Sequence, residues 1–365
     1  MTSPARSGTA LTLPISRFFP ASLMLPVIAV LAAFIVGYVL VLAMGVSPGK
    51  ALGAFVTGAF GSSYAISVSL NRAAVFALVG IGFVLANRAN LTNVGGEGQI
   101  AVGGIAATAT ALYGGVADLG FGLAFITPIL AATLAGALWG GLAGVLKVRA
   151  GTNEVISTLL LSFIAVWLIY WCVQSRDLLR KPMTNSATLP ESAEIPEATQ
   201  LPLLTGDYAA PATLGIPVAL VLAVIVWLVL TRSRFGFNLR AVGFNTIAAA
   251  RAGIAQRWTI VMALTIAGGF GGLAGAMMLL GEQYSLKTGF SSGYGFDGLV
   301  VGLLARGSVG GVIAGALLFG FLRSGGISME MVAAVPTALV MVIQGLIVLF
   351  VAGAAFWLDK REKGK

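Results

Sequence analysis

Histidine is absent from the 365 residues, cysteine occurs once, at Cys172, and only 10% of the chain is charged. Without His and with a single thiol, the chain can form no His/Cys metal site, no His-based catalytic triad and no internal disulfide. No Gly-x4-Gly-Lys-Ser/Thr phosphate loop occurs, so nucleotide binding has no motif here. Soluble domains carry about 25% charged residues; with 58% hydrophobic residues there is too little polar surface here to face water. The net charge of +9, from 22 Lys+Arg and 13 Asp+Glu, is too scattered to mark a nucleic-acid partner. No catalytic residues and no metal ligands are expected, and the chain is read as not being an enzyme.

What is present is apolar sequence in long charge-free stretches, each about as long as a helix needs to cross the hydrocarbon layer. The pattern predicts an all-α polytopic membrane protein, a single transmembrane domain over 1–365, with about ten crossings at 21–44, 71–88, 95–115, 121–146, 154–173, 215–231, 259–281, 296–306, 309–323 and 331–357. The first is read as a retained helix that also serves as an uncleaved insertion signal. The span 296–306 is short and precedes the Arg306–Gly311 break, so a re-entrant half-helix is the other reading. The uncharged stretch 51–70, with Gly, Ser, Thr and Asn at mixed spacing, is assigned to an interfacial helix, with an eleventh crossing as the alternative.

Basic residues orient the chain. With the N-terminus inside, 15 of the 22 Lys+Arg fall on the cytoplasmic side, among them Arg88, Lys147, Arg149 and the cluster from Arg232 to Arg257; Lys50, Arg72, Arg176, Arg180, Lys181, Lys287 and Arg323 fall outside. Both the 1–20 tail and the basic 358–365 tail are then cytoplasmic. Residues 174–214, with five prolines, read as an outer loop. Residues 232–258 form the most basic inside segment, where Asn245-Thr246 precedes the Ala-rich run 247–252 and Gly253 follows it; this predicts a short helix with loops on both sides.

Polar residues bordering the spans are the candidates for function, because ionisable groups there are costly. The segment NLTNVGGEGQI places Asn93, Glu97 and Gln99 around Gly95-Gly96, read either as a capped helix start or as a broken helix lining a polar path. Asn153 and Glu154 open the next-but-one span in a capping pattern, with Thr152 or Asn153 as the cap. Asp297 follows the Gly-rich run 289–298. By topology Glu97 and Glu154 are expected near the cytoplasmic side and Asp297 near the outer side. The 49 glycines fall largely within spans, as at 136–144 and 268–275, where small residues let helices approach closely.

Four segments together resemble a known family: LTNVGGEGQIAVGG (91–104), GTNEVISTLLLSFIA (151–165), SRFGFNLRAVGFNTIAAARAGI (233–254) and GYGFDGLVVGLLARGSVGGVIAGALLFGFLRSGG (293–326). They look like a permease subunit of a bacterial ABC importer, in the branch serving simple sugars of the ribose type, nucleosides and branched-chain amino acids; Asn153-Glu-Val-Ile-Ser157 is most similar to the nucleoside type. The resemblance implies an inner-membrane permease that translocates a nucleoside or simple sugar. It implies two cytoplasmic ATPase domains that bind ATP and Mg, a second permease chain, the same or related, an extracytoplasmic solute-binding protein, and surrounding lipid. No cofactor is expected on this chain and no nucleic acid as partner. The coupling segment that docks on the ATPase maps to Arg240, Gly243, Asn245, Ala248, Ala249 and Gly253. The alternatives are an ion-coupled secondary transporter and an ABC permease for branched-chain amino acids.

Overall fold

The computed structural model describes residues 21–120, 122–182, 189–336, 338–343, 345–346, 349–350 and 353. Among them the chain is helical, with only isolated bridges outside helices. Two units are compact in themselves. One comprises the chain up to Pro48 and from Ala338. It holds α1 (Ala21–Ala43), whose Gly37 leaves room only for the Ile343 side chain, and the helical residues after 338.

The second unit, 49–337, carries everything bearing on function. Its helices are α2 (Pro48–Phe60), α3 (Ser63–Asn87), α4 (Gly96–Tyr113), α5 (Leu123–Ala150), α6 (Glu154–Gln174), α7 (Gly215–Arg232), α8 (Arg234–Phe244), α9 (Thr246–Arg251), α10 (Gln256–Met278), α11 (Tyr294–Leu304) and α12 (Val309–Ala333). A π-helical turn, Leu279–Gln283, continues α10. Among the described residues, six helices are long and apolar enough to cross a membrane: α3, α5, α6, α7, α10 with its π turn, and α12. α4 reaches 18 residues but begins with Glu97 and Gln99. α11 has 11 residues, about 16 Å of rise and so about half of a hydrocarbon layer.

Buried α3 is the central staff of this unit, with α10, α11, α12 and α7 around it. The tightest seam joins α5 to α10. A Cβ on Gly268 would run into the Gly136 carbonyl, and one on Gly272 into that of Ala132, so the glycines let the two backbones touch. On one end of the bundle the 175–213 segment folds over the close of α10: Ser192, Ile195 and Leu201 donate backbone N–H to the Leu286, Tyr284 and Leu280 carbonyls at 2.8, 2.9 and 2.8 Å. Asn71 ties α3 to the same segment through Pro211 and Thr213.

Three boundaries differ from the sequence expectation. α3 starts at Ser63, not 71, because Ser62 caps it and Arg72 lies within the helix; α2 alone remains as the separate helix of the 51–70 stretch. α12 runs through Arg323 to Ala333, where the expected spans 309–323 and 331–357 are separate; it stops at Ala334 in the left-handed region, and helix resumes after 338. Reading helix ends at charges fails where the charge finds a partner inside the bundle, as Arg72 and Arg323 both do. In the 232–258 segment the expected short helix is α9, but α8 and not a loop precedes it. Ser233, accepting the Gly236 N–H at 3.0 Å, starts that extra helix.

Candidate functional site

Two helix starts meet inside the bundle. Past Arg88 the chain turns at Asn90, in the left-handed region at φ 57°, and climbs without helical bonds to Gly95. Its backbone donors need partners. α6 supplies them in ascending order: Thr92 N–H to Glu154 Oε1 at 3.4 Å, Val94 N–H to Thr158 Oγ1 at 3.1 Å, and in the first turn of α4 Gly98 N–H to Ser162 Oγ at 3.2 Å. From Glu154 to Ser162 is about 12 Å of helix, so α4 starts well inside the bundle. Asn93 and Gln99, both buried, exchange amide hydrogen bonds at 3.1 and 3.2 Å, and Asn93 Oδ1 also accepts the Gly95 N–H at 2.9 Å. They brace the break.

α11 begins at the same point. Gly96 and Gly295 touch backbone to backbone, so that a side chain on Gly295 would collide with Glu97. The buried Glu97 carboxylate accepts the Gly293 N–H on Oε1 and the Gly295 N–H on Oε2, both at 2.8 Å. A carboxylate at a helix N-terminus satisfies orphan donors and complements the macrodipole. Glu97 therefore opens its own helix while capping another. From there α11 descends beside α3, with Gly298 against Val79 and Gly302 against Phe83, toward the end of the bundle where Arg88 donates to the Gly307 carbonyl at 2.5 Å.

Sequence reasoning put Glu97 and Asp297 near opposite faces; the structure puts both at this junction. The physical reason is that Asp297 opens a half-helix whose start lies inside the bundle, not at its rim. Glu154 does lie apart, paired with Lys147 at 2.5 Å, and Asn153, not Thr152, caps α6 through the Val155 N–H at 2.9 Å.

Two charges that sequence reasoning left outside, Arg72 and Arg323, belong near the junction, as does Glu282, which it did not single out. Arg72 binds Glu282 of the π turn through Nε at 3.0 Å and Nη2 at 2.8 Å, and reaches Ser324 Oγ at 3.0 Å. Arg323 donates to the Ser292 carbonyl at 2.9 Å and lies over the Tyr294 ring at 5.2 Å, with Nη1 3.8 Å from Asp297 Oδ2. Tyr294 in turn stacks on Phe76 at 4.8 Å. A signal was available: Arg72 is the sole charge between Lys50 and Arg88, and Arg323 the sole charge between Arg306 and Glu330.

The second candidate surface lies at the end of the bundle that holds Arg88. Asn245 Oδ1 accepts the Ile247 and Ala248 N–H groups at 3.0 and 2.9 Å and so joins α8 to α9 at an elbow, which Gly253, at φ 82°, follows. Of the six residues singled out there, Gly243 lies against the Arg88 carbonyl, Arg240 reaches back to the Leu230 carbonyl, and Ala249 is buried, so these three hold the elbow to the bundle. Asn245 and Ala248 are exposed. The elbow's apex also carries two apolar side chains that sequence reasoning missed, Phe244, 89% exposed, and Ile247, 68% exposed.

The family described as "Branched-chain amino acid transport system / permease component" matches residues 65–352. The chain is 36% identical over 334 residues to the guanosine ABC transporter permease protein NupP of Bacillus subtilis (strain 168), covering 91% of this chain and 93% of that one. It is 34% identical over 343 residues to the glucose ABC transporter permease protein TsgB13 of Haloferax volcanii, covering 91% and 87%. Over 342 residues it is 28% identical to the nucleoside ABC transporter permease protein NupB of Lactococcus lactis subsp. cremoris, covering 90% of each. No solved structure matches the chain.

Proposed function

We propose a function from one premise: the chain belongs to the branched-chain amino acid transport system / permease component family. It is a multi-pass membrane protein, and within that family we read it as the permease subunit of an ATP-binding cassette importer for a neutral, polyhydroxylated solute, a nucleoside or a simple sugar. A separate ATPase supplies the energy, a second permease chain completes the pathway, and an outer solute-binding protein delivers the solute. The excess of Lys and Arg on the Arg88 end of the second unit orients that end toward the cytoplasm, and from their own charge we read both tails as cytoplasmic too. Beyond the six long apolar helices we read α1, α4 and the helical residues from 338 as crossings as well and α11 as a half-crossing, so about ten crossings remain our proposal.

One observation carries the ATPase reading: an apolar pair, Phe244 and Ile247, stands exposed on an elbow pinned to the ends of α3 and α7. Exposed aromatic anchors amid small residues are typical of protein contacts. Because the elbow is rigid, movement of the ATPase reaches α3 and, through Arg88 and Gly307, the foot of α11. Replacing both residues by Asp leaves the buried Ala249 and the packed Gly243 untouched. We expect the permease to purify normally and its ATPase affinity to fall by about tenfold or more, read by co-purification. Undiminished association would move the docking surface elsewhere.

The solute class follows from charge. A helix N-terminus inside a membrane suits an anionic group, but Glu97 already fills that of α11. The carboxylate of an amino acid would meet another carboxylate there. The solutes named for the similar permeases, guanosine, glucose and nucleosides, share vicinal hydroxyls and can do without a negative charge. The paired helix starts also suit an ion-coupled carrier, and the docking elbow is what that reading leaves unused.

A further inference from the structure

At the junction one charged pair is left incomplete. Arg323 is 8% exposed, and its Nε has no hydrogen-bond partner; Asp297 Oδ2, facing it, has none either. Their closest approach, 3.8 Å between Nη1 and Oδ2, is too long for a hydrogen bond. Arg72, the other arginine of this region, forms two bonds to Glu282 and one to Ser324. At the same junction Glu97 is closed on two glycines, and Asn93 on Gln99. A buried guanidinium and a carboxylate left short of each other cost desolvation without full return.

The gap lies beside exposed surface. The Asp297 side chain is 21% exposed, Ser292 is exposed, and Phe296, which precedes Asp297 in the chain, is 38% exposed. A hydroxyl group both donates and accepts, so it can give its proton to Asp297 while taking one bond from Arg323. A carboxylate would face Asp297 and Glu97, and an ammonium would face Arg323; a neutral hydroxyl suits both partners. Phe296 offers an apolar face of the kind that packs on a sugar ring or a base.

We infer that Asp297 and Arg323 form the intramembrane subsite that reads a vicinal hydroxyl pair of the transported solute. This rests on the nucleoside-or-sugar reading above and goes beyond it by naming the atoms recognised. Arg323 has a double duty, holding the start of α11 through the Ser292 carbonyl and turning the rest of its guanidinium to the solute. Asp297 supplies the acceptor.

The test is a comparison of solutes in the assembled importer, the chain expressed with its second permease chain, its ATPase and its solute-binding protein. Uptake of guanosine is compared with that of its 2′-deoxy and 3′-deoxy analogues, and uptake of glucose with that of its 2-deoxy and 3-deoxy analogues. Sites built to bond a hydroxyl reject the analogue lacking it. Asp297→Asn and Arg323→Lys are each expected to shrink the parent-over-deoxy preference in kcat/KM about tenfold, while the binding protein's own affinities stay unchanged. A variant that merely misfolds loses parent and analogue together and leaves the ratio as it was. Should Asp297→Asn not assemble, Asp297→Glu decides, since moving the carboxylate by one methylene shifts the preference if the site is right. A wild-type preference in variants that still transport overturns the inference. If the wild-type importer carries neither nucleosides nor hexoses, the reading of the solute class fails first, and the two failures are told apart by that control.

Discussion

Glu97 is the residue on which the interior arrangement turns. Its two oxygens take one backbone N–H each from the start of α11, and the meeting of two helix starts depends on a group that accepts twice and donates nothing. In Glu97→Gln one oxygen becomes an NH2 that faces a donor. Hydrogen bonds to charged groups contribute about 1.5–3 kcal/mol each, and an orphaned donor costs a similar amount. We therefore expect a clearly lower melting temperature in detergent and slower uptake, with ATPase docking intact; an unchanged melting curve would show that Glu97 caps nothing that matters. Glu97, Asn93, Gln99 and Asn153 were legible as residues, since a carboxamide or carboxylate beside Gly-Gly or before an apolar run signals a helix start. Arg72, Glu282 and Arg323 were not, because their partners lie 210 and 26 residues away in sequence and only packing brings them together.

Among the elements, the glycine runs 136–144 and 268–275 were read only as places where helices approach closely; that they face each other in one seam between α5 and α10 comes from the structure. Substituting Gly272→Ala drives a methyl into the Ala132 carbonyl and must separate two backbones. Gly53 in α2 has nothing within 4 Å of an added Cβ, and there Ala gains helix propensity of up to about 1 kcal/mol. Gly272→Ala should thus lower the detergent melting temperature by several degrees while Gly53→Ala holds or raises it; equal effects would mean that the seam is not close-packed. Half-helices were harder to read. α11 looks like a short span because apolar length tells how far a helix can reach, not at what depth it starts. Its depth is set by Glu97, on another helix. The joining of α8 to the docking helix was missed for a different reason: Ser233 is a cap of one residue, and the two glycines of α8, at 236 and 243, read as loop until they are found packed on the Val229 and Arg88 carbonyls.

For the whole molecule, the scarcity of charge sorts into uses. Most Lys and Arg orient the chain. A few, with their acids, hold the interior junction, and the elbow presents an apolar tip on a basic segment. On the proposed reading, chemistry is left to a partner ATPase, and this chain supplies the passage and the contact through which it is driven. The most direct measurement is solute uptake into proteoliposomes containing the permease, its ATPase and its binding protein, with ATP enclosed on the ATPase side. Uptake of guanosine or glucose should require ATP, persist when ion gradients are collapsed by ionophores, and fall to background when Phe244 and Ile247 are both replaced by Asp. Uptake that runs on an ion gradient without the ATPase would contradict the account at its centre.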